Sequence, residues 1–347
     1  MLIIEELNEV ENVYDITVED NHNFYANDIL IHNCQEINLP TYPIEHIDSA
    51  DTGEIALCVL SGINLGVTKI RELPSICNLV VRALDYIVEK QDYPVNAAAH
   101  MKKRRSIGVG VTNLAYFFAK NKVGYAEQEA LELLDEYMEH LQFNLISASV
   151  KLAKEQGPCE WLHRTKYGQG MLPIDHYNKN VDTLHNRKLS CDWEALRVDL
   201  KEHGIRNSTL TAVMPAESSA VVSNATNGIE PPRARVSIKK SKKGNLPQVV
   251  PDIKRYGNYY TLAWEMYNNV GYINVTAVIQ KYIDQAISCN HYYHPGVYED
   301  KEIPISVIME DLMRSYWLGI KNMYYANTND GKTDTGGEDC AGGACSI

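Results

Sequence analysis

The chain has 347 residues and a formal net charge of −12, from 33 lysines and arginines against 45 aspartates and glutamates. The length predicts about two domains, and a hydrophobic fraction of 45% provides for a large core, which excludes wholesale disorder. The negative charge argues against a nucleic-acid-binding protein. No apolar run approaches the roughly 20 residues of a membrane-spanning helix, so we expect a cytoplasmic protein without membrane contact.

The first segment, residues 1–33, has the pattern of short β-strands. Val13–Val18 alternates apolar and polar residues, and Asp28–Ile31 is a mainly apolar run that follows the string His-Asn-Phe-Tyr at 22–25. This pattern predicts a small all-β unit. An ordinary N-terminal β-hairpin with a hydrogen-bonded histidine is the alternative interpretation.

The junction after this segment, His32-Asn33-Cys34, has the chemistry of a place where a chain is cut and rejoined. The side-chain amide of Asn33 can attack its own backbone carbonyl and release the peptide that follows. His32 stands beside that bond as a proton donor. The thiol of Cys34 can carry a migrating acyl group, because a thiolate is both a good nucleophile and a good leaving group. The hairpin interpretation leaves this junction unexplained.

Residues 1–33 therefore resemble the C-terminal piece of an intein, a small all-β fold of the Hint type. Because Met1 precedes the pattern by only a few residues, the resemblance is to the C-terminal half of a split intein. The resemblance implies splicing roles for five residues: Asn33, which cyclises, His32 and His22, which assist proton transfer, Asp15, which supports the site, and Cys34, the first residue beyond the intein.

Beyond Cys34 the sequence alternates between strand and helix patterns. Strands are predicted over residues 54–60, ended by a turn over 61–66, and over residues 208–214. Helices are predicted over residues 75–91 with Ser75 as cap, 126–156, 192–203, 215–227, 274–288 with Asn274 as cap, and 304–323. This alternation predicts an α/β fold with a parallel, helix-covered sheet or barrel.

The basic run Lys102–Arg105 lies beside Gly108-Val109-Gly110, a combination that can suggest a phosphate-binding loop. It lacks the Gly-Lys-Ser/Thr ending of a P-loop. We interpret it as the start of a helix with a solvated basic face.

Residues 215–219, Pro-Ala-Glu-Ser-Ser, lie between a predicted strand and a predicted helix. Free backbone N–H groups and the hydroxyls of Ser218 and Ser219 at a helix N-terminus can bind a phosphate without a positively charged side chain. A plain serine N-cap is the alternative, and it is about as well supported.

Eight cysteines in a cytoplasmic chain do not indicate a disulfide framework, and without paired CxxC motifs they do not indicate a zinc site, so no metal site is predicted. Four of them are predicted to be small buried side chains: Cys77, Cys159, Cys191 and Cys289. Cys340 and Cys345 lie in the terminal segment 331–347, with glycines between them that allow a disulfide. Such a pair suits thiol–disulfide exchange, and an inert tail is the alternative.

Two further groupings can carry chemistry. Cys34 and Glu36 lie two residues apart, so an extended loop places the thiol and the carboxylate on one side, where they can act on one substrate. A buried cysteine beside a solvated glutamate is the alternative. Tyr324-Tyr325 is one of three adjacent tyrosine pairs, and packing with satisfied hydroxyl groups is the alternative for all three.

Together these residues resemble the large, catalytic subunit of class I ribonucleotide reductases. The strings that carry the resemblance are, in order, Cys34–Pro40, Gly53–Cys58, Ser223–Pro232, Tyr324–Thr328 and the terminal Cys-x4-Cys. The resemblance implies the C-terminal half of a ten-stranded α/β barrel with a small α/β subdomain over residues 34–330, and a flexible redox tail over residues 331–347.

The resemblance also implies reduction of ribonucleoside diphosphates, with roles carried over by position. Cys34 is the thiyl radical that removes the 3′ hydrogen, Glu36 is the base on the 3′ hydroxyl, and Cys58 is one of two thiols that reduce the 2′ carbon and end as a disulfide. The implied substrate contacts are Gln35, Pro215, Ala216, Glu217, Ser218 and Ser219. The family often has a further Ser or Thr where Ala216 and Ala220 stand, so hydroxyl donors to the diphosphate are fewer here.

Partners follow from the same resemblance. Tyr324 and Tyr325 relay a radical from a metal-containing small subunit, and Cys340 and Cys345 re-reduce the internal disulfide and are reset by thioredoxin or glutaredoxin. No cofactor is implied in this chain itself.

The family pattern before Cys34 is missing: the partner thiol of Cys58, an active-site Asn, half of the barrel and the regulatory nucleotide domains. The intein resemblance explains this, if a second chain carries the N-terminal reductase part fused to the N-terminal intein half and is joined to Cys34 by trans-splicing. Two alternatives are reductase fragments that assemble without splicing, and a non-catalytic binding subunit derived from a reductase. The cytoplasm of a phage-infected cell is a compatible setting, since phage genomes often carry such split genes.

Overall fold

The computed structural model describes residues 23–26, 29–32, 36–46, 52–241 and 244–329, and for residues 23–26, 29–32, 217–218, 238–241 and 244–246 it describes only the backbone. The strands in these ranges are β1 (Asn23–Ala26), β2 (Ile29–His32), β3 (Val59–Asn64), β4 (Ile107–Thr112), β5 (Val236–Ser241), β6 (Gly244–Val249), β7 (Cys289–Tyr293) and β8 (Met323–Thr328). The α-helices are α1 (Leu73–Lys90), α2 (Asn96–Ala99), α3 (Met101–Arg104), α4 (Leu114–Asn121), α5 (Gln128–Gln156), α6 (Pro173–His176), α7 (Trp193–His203), α8 (Glu217–Val222), α9 (Ile253–Tyr256), α10 (Val270–Tyr282) and α11 (Ile305–Trp317).

The first two strands form an antiparallel pair in which Asn23 lies opposite His32. This pair fits the predicted all-β unit, and it fits the alternative of an ordinary hairpin equally well. The predicted strand 13–18 lies outside the described residues, as do four residues of the predicted splicing site: Asp15, His22, Asn33 and Cys34.

Five extended segments make up the centre of the described part. β3 pairs with β4, and β7 pairs with β8, each in parallel. The segment 208–214 lies between the two pairs. The carbonyl of its Leu210 accepts the N–H of Val109 at 2.7 Å, and its Val213 forms a parallel bridge with Ile287, just before β7. The order β3, β4, 208–214, β7, β8 agrees with the expected half of a ten-stranded barrel.

The helices cover this array and form the core with it. The longest helix, α5, has 29 residues, and both α1 and α10 pack against it. Leu134, Met138, Leu141 and Leu145 recur along it at a spacing of three or four residues and are fully buried, as expected for one face of a helix. Helices cover the faces of a parallel sheet. The shared core therefore fixes the ends of the strands and helices, and with them the loops that connect these ends. In the described part, no helix is both long and apolar enough to cross a membrane.

The predicted helices are confirmed, with several shifted ends. α7 agrees best, because the Asp192 side chain accepts the Ala195 N–H at 3.0 Å and the helix ends at Gly204, whose φ is +70°. α1 begins two residues before Ser75, which is therefore not its cap. α8 ends at Val222, five residues earlier than predicted.

The last two helices differ more from the prediction. α10 begins after Asn269 and not at Asn274, because the Asn274 side chain instead accepts a hydrogen bond from Arg314 of α11 at 2.8 Å. α11 begins after Pro304 as predicted but ends at Trp317. Gly319, with φ of +76°, follows it, and Met323 already starts β8.

The first predicted strand is displaced towards the C-terminus. β3 begins at Val59, and the residues 61–64 that were predicted as a turn lie within it. Glu54 instead forms an isolated bridge with Tyr42 and an ion pair with Arg104. These contacts hold Glu54 outside β3, and the strand begins after it. The predicted strand 208–214 is extended and hydrogen-bonded on both sides, although only Val213 is in a regular bridge.

The interpretation of Gly108-Val109-Gly110 as a helix start is wrong. These residues lie in β4, which is buried along its whole length. A Cβ atom at Gly108 would lie 2.6 Å from Leu60 Cδ2, and one at Gly110 would lie 2.5 Å from the Ala212 carbonyl oxygen. Glycine is therefore required here by close contact with neighbouring chain segments, not by a phosphate or a turn.

The predicted solvated basic face is wrong for two of its four residues. Arg104 and Arg105 are each 5% exposed. Arg104 pairs with the carboxylate of Glu54, and Arg105 forms a two-bond contact with Asp85 at 2.6 and 2.8 Å. Buried arginines need such partners, because an unpaired charge in the core is costly. The run therefore anchors α1 and the loop before β3.

Candidate active site

Glu36 is buried against the segment that leads into β7. Its side chain has no exposed surface, and its carboxylate oxygen Oε2 accepts a hydrogen bond from Ser288 Oγ at 2.5 Å. Its backbone carbonyl accepts the Ala286 N–H at 2.9 Å. Burial raises the pKa of Glu36, and the Ser288 hydrogen bond opposes that rise. The alternative of a solvated glutamate is therefore wrong.

The other oxygen of this carboxylate is distinctive. Glu36 Oε1 is buried and has no hydrogen-bond partner among the described residues. Buried polar atoms are normally hydrogen-bonded, so an orphaned carboxylate oxygen in a loop marks a place for a donor from outside the described protein. Cys34 and Gln35, which precede Glu36, lie outside the described residues.

Cys58 lies at the residue before β3, and its side chain is half-buried. Burial raises the pKa of its thiol well above the ordinary value, and the nearby carboxylates of Asp284 and Glu36 raise it further. The sulfur is therefore held as S–H at neutral pH. A protonated thiol next to a buried carboxylate can deliver hydrogen, whereas a thiolate nucleophile would require the opposite environment.

Residues 215–219 follow the extended segment 208–214, at its carboxyl end. α8 begins there, and its N-cap is Ala216, with no side-chain cap, so the alternative of a serine N-cap is wrong. The N–H of Ala216 donates a hydrogen bond to Asn227 Oδ1 at 2.6 Å. Ser219 is exposed, and for Glu217 and Ser218 only the backbone is described. The carboxyl edge of a parallel sheet is where ligands of α/β proteins bind, which fits a substrate segment here.

A chain of polar contacts connects this segment to β8. Asn227 Nδ2 donates to Glu230 Oε2 at 3.2 Å, and Asn290 Nδ2 donates to the other oxygen, Oε1. Asn290 Oδ1 in turn accepts the N–H of Tyr325 at 3.1 Å. The sequence string 223–232 contains two of these residues, but no local pattern assigns them this function. Their pairing with Asn290 appears only in the fold.

Tyr324 and Tyr325 are half-buried neighbours in β8, and their rings are in contact. The ring centroids lie 3.8 Å apart with a 38° angle between the planes. Adjacent strand residues usually point to opposite faces, so this contact is unusual. Of the other pairs, Tyr292 packs edge-on against Trp264, and Tyr260 donates its hydroxyl to the Pro251 carbonyl at 2.7 Å, which confirms the packing interpretation for those two side chains.

The remaining cysteines divide into two groups. Cys77, Cys159 and Cys289 are buried as predicted, whereas Cys191 is half-buried, with its sulfur 3.4 Å from His140 Nδ1. Cys340 and Cys345 lie outside the described residues. The structure thus brings Glu36, Cys58 and Ser288 into one region of the array and leaves the redox tail without a described position.

Comparison with known proteins shows the family of the chain. Residues 12–326 match the model of the ribonucleotide reductase barrel domain. The chain is 49% identical over 319 residues to the ribonucleoside-diphosphate reductase subunit alpha of Haemophilus influenzae, an alignment that covers 90% of this chain and 42% of the relative. It is 45% identical over 306 residues to the subunit alpha of Enterobacteria phage T4, covering 86% and 39%.

The subunit alpha of ribonucleoside-diphosphate reductase 1 from Escherichia coli is 46% identical over 273 residues, covering 76% of this chain and 35% of the relative. The chain thus spans about two fifths of the length of the curated relatives that it matches. The family model covers nearly the whole chain, including Glu36, Cys58 and the tyrosine pair. The chain therefore belongs to the ribonucleotide reductase family, by its barrel domain.

Proposed function

We propose that this chain, once completed by the rest of a reductase, converts ribonucleoside diphosphates to 2′-deoxyribonucleoside diphosphates by thiyl-radical chemistry. The observation that carries the proposal is the buried carboxylate of Glu36, two residues after Cys34, with one oxygen that has no partner among the described residues. The protonated thiol of Cys58 lies in the same electrostatic environment.

Each group then has a balanced role. The sulfur radical of Cys34 takes a hydrogen atom from C3′ and becomes a thiol, and Glu36 accepts the proton of the 3′ hydroxyl. The 2′ oxygen leaves as water. Cys58 and a second thiol, from the part of the reductase beyond this chain, give one proton to the leaving 2′ oxygen and one hydrogen to C2′, and they become a disulfide. Cys34 then returns its hydrogen atom to C3′, which regenerates the sulfur radical, and Glu36 returns its proton to the 3′ oxygen. The raised pKa of Cys58 supports its role, because the step consumes S–H and not thiolate.

Substrate binding is assigned to Gln35 and to residues 215–219. The backbone at the start of α8 would face the diphosphate, with Ser218 and Ser219 as the hydroxyl donors and Ala216 and Ala220 contributing none. The proposal therefore expects main-chain N–H groups to supply most of the binding at this segment.

Radical entry is assigned to Tyr324 and Tyr325, whose ring contact at 3.8 Å supports transfer between them. The radical would come from a separate, metal-containing small subunit. Cys340 and Cys345 would reduce the Cys58 disulfide after each turnover and pass the oxidising equivalents to thioredoxin or glutaredoxin.

For residues 1–33 we propose an intein C-terminal segment that is removed by splicing at Asn33 and Cys34. The antiparallel pair of β1 and β2, which ends at His32, supports an all-β unit directly before the junction. In this proposal a second polypeptide carries the remaining reductase sequence fused to the N-terminal intein half. The sulfur of Cys34 would then act twice, first as acyl acceptor in splicing and later as radical carrier.

Reductase fragments that assemble without splicing are the second candidate. One observation favours it: the barrel-domain match begins at residue 12, within the segment assigned to the intein. In this version residues 1–33 remain attached in the active complex, and an intact-mass measurement separates the two candidates.

The test mixes this chain with the N-terminal partner polypeptide and follows the products by mass spectrometry. Splicing predicts a joined product whose C-terminal portion begins at Cys34, and reductase activity that appears with it. Asn33→Ala removes the amide that cyclises, so it should block release of residues 1–33 and prevent activity. A full-rate reductase formed from the Asn33→Ala chain, with residues 1–33 still attached, would refute the splicing proposal and leave the reductase proposal standing.

A further inference from the structure

We propose that Ser288 is the positioning residue of the catalytic base: its hydroxyl holds Oε2 of Glu36 and so dedicates Oε1 to the substrate proton. This inference rests on the reductase function proposed above. It concerns a residue that lies 252 positions from Glu36 in the sequence and that the fold brings into contact with it.

Ser288 and Glu36 are held rigidly against each other. Ser288 is 4% exposed, and its N–H donates to the Val213 carbonyl at 3.0 Å. Two residues earlier, the Ala286 N–H donates to the Glu36 carbonyl at 2.9 Å. The same extended segment therefore fixes Glu36 through its main chain and through its side chain, with only 2.5 Å between Ser288 Oγ and Oε2. Because the main chain of Glu36 is fixed and one carboxylate oxygen is held by the same segment, the side chain has little freedom to rotate.

The two oxygens of the Glu36 carboxylate have different surroundings. Oε2 is engaged by Ser288, whereas Oε1 is buried and has no hydrogen-bond partner among the described residues. If both oxygens were free, either could rotate towards solvent or towards a neighbour. With Oε2 engaged, the proton from the substrate hydroxyl arrives at Oε1, and no other covalent bond changes at Glu36 in that step.

Ser288 also affects the ionisation of Glu36. Burial raises the pKa of Glu36, and the Ser288 hydroxyl lowers it by donating to the charged form. A base must be ionised before it can accept a proton, so Ser288 extends the activity of Glu36 to lower pH. The short hydrogen bond thus has both a geometric and a titration effect.

Two other titratable groups influence this region. The Cys58 thiol responds to both Glu36 and Asp284, and its pKa lies well above the ordinary value, so it stays neutral throughout the acidic range. Asp284 has a raised pKa, but its carboxylate is fixed by the N–H groups of Leu210 and Thr211 and by the Tyr167 hydroxyl. Burial raises the pKa of both Asp284 and Glu36, so the test must separate the two carboxyl groups.

The decisive experiment measures kcat/KM against pH for the complete reductase, formed from this chain with Ser288→Ala and the N-terminal partner polypeptide. Loss of the hydroxyl should move the acidic limb to higher pH by about one unit, since a hydrogen bond to a charged group has about that effect on a pKa. Below the limb, kcat/KM should fall about tenfold. A smaller loss should persist on the alkaline side, because the ionised carboxylate is then no longer held by Ser288. Ser288→Thr retains a hydroxyl and should keep the wild-type limb.

Ser149→Ala is the matched control. Ser149 is also buried and also donates to a side-chain oxygen, that of Asn207 at 2.8 Å, but it makes no contact with Glu36 or Cys58. The control should leave the acidic limb in place whatever it does to stability. A limb that is unmoved by Ser288→Ala in an active enzyme, or that moves equally in Ser149→Ala, would overturn the assignment.

An infrared titration supplies a readout that does not depend on turnover. The carboxyl stretch of Glu36 is identified in this chain by its loss in Glu36→Gln, which also separates it from Asp284. Its titration midpoint should rise in Ser288→Ala and not in Ser149→Ala. If the wild-type holoenzyme reduces no ribonucleoside diphosphate, the proposed function fails. If the Glu36 midpoint is unchanged in Ser288→Ala, the present inference fails, whether or not the enzyme is active.

Discussion

At the scale of single residues, the protonation of Cys58 decides what chemistry its sulfur can perform. The thiol is half-buried and lies near two carboxylates, Asp284 and Glu36, so its ionised form is disfavoured. Such a sulfur is a poor nucleophile but a suitable source of hydrogen. The same surroundings that would hinder a nucleophilic enzyme therefore suit a reductive one.

This environment predicts slow alkylation of Cys58. Reaction with iodoacetamide at about pH 7.5 should be at least tenfold slower than that of an ordinary exposed thiol, because only the thiolate reacts. The rate should keep rising beyond about pH 10, where an ordinary thiol is almost fully ionised and its rate has levelled off. Peptide mapping by mass spectrometry measures the rate at each pH. The same cysteine in urea-unfolded chain is the control, and equal rates in folded and unfolded chain would contradict the prediction.

Glu36 and Ser288 show how far residue-level reasoning from sequence extends. Glu36 could be named as a candidate from its spacing to Cys34, and its proposed role came from the family resemblance of the string Cys34–Pro40. Ser288 could not, because nothing in the string around it connects it to a residue 252 positions away. The burial of Glu36 could not be predicted from the sequence either. It depends on the distant segment that contains Ala286, not on the residues next to Glu36 in the sequence.

At the scale of elements, β4 shows why a glycine pattern can mislead. Its two glycines lie where β3 and the segment 208–214 approach from either side. The missing Cβ atom of glycine permits either a turn or close packing. A local sequence pattern therefore cannot tell which of the two a given glycine serves. By contrast, the ends of α7 could be predicted, since Asp192 and Gly204 act within one turn of the helix.

The packing around β4 predicts that Gly110→Ala is destabilising. The added Cβ would lie 2.5 Å from the Ala212 carbonyl oxygen, so backbone must shift, and we expect a loss of about 1–3 kcal/mol in the free energy of unfolding. Chemical denaturation followed by circular dichroism measures the change.

Gly257→Ala is the control for this substitution. A Cβ there would lie 3.3 Å from Ile253 Cγ1, a side-chain atom that needs to give way by only a few tenths of an ångström. It should therefore cost clearly less than Gly110→Ala. Equal costs at the two positions would show that close strand packing is not the reason for glycine in β4.

At the scale of the whole molecule, the described part of the chain forms an array with two open edges. Among the described residues, β3 pairs only with β4 and β8 pairs only with β7, so the outer edge of each is without a partner strand there. The chain spans about two fifths of its curated relatives, and a barrel cannot close from five segments of ten. The tyrosine pair lies on one of these edges, in β8, so the proposed radical path would run along the surface where the barrel is completed.

Burial across the whole core also sets how the protein responds to alkaline pH. The thiols of Cys77, Cys159 and Cys289 lie in the core, and burial raises their pKa to about 12, about 11 and about 12. An unfolded chain releases these protons near the ordinary thiol value, so the folded state binds more protons above it. The stabilisation is complete below about pH 9 and is lost as the pH rises towards these values.

The free energy of unfolding should therefore fall between about pH 9 and pH 10, by about 1 kcal/mol for each buried thiol. Urea denaturation of the reduced chain at the two pH values measures this slope. Buried tyrosines such as Tyr282 have raised pKa values and add to the loss at still higher pH. Cys289→Ala removes one of the groups and should make the slope shallower by about one proton per molecule. A slope that is unchanged by this substitution would mean that the buried thiols are not the cause.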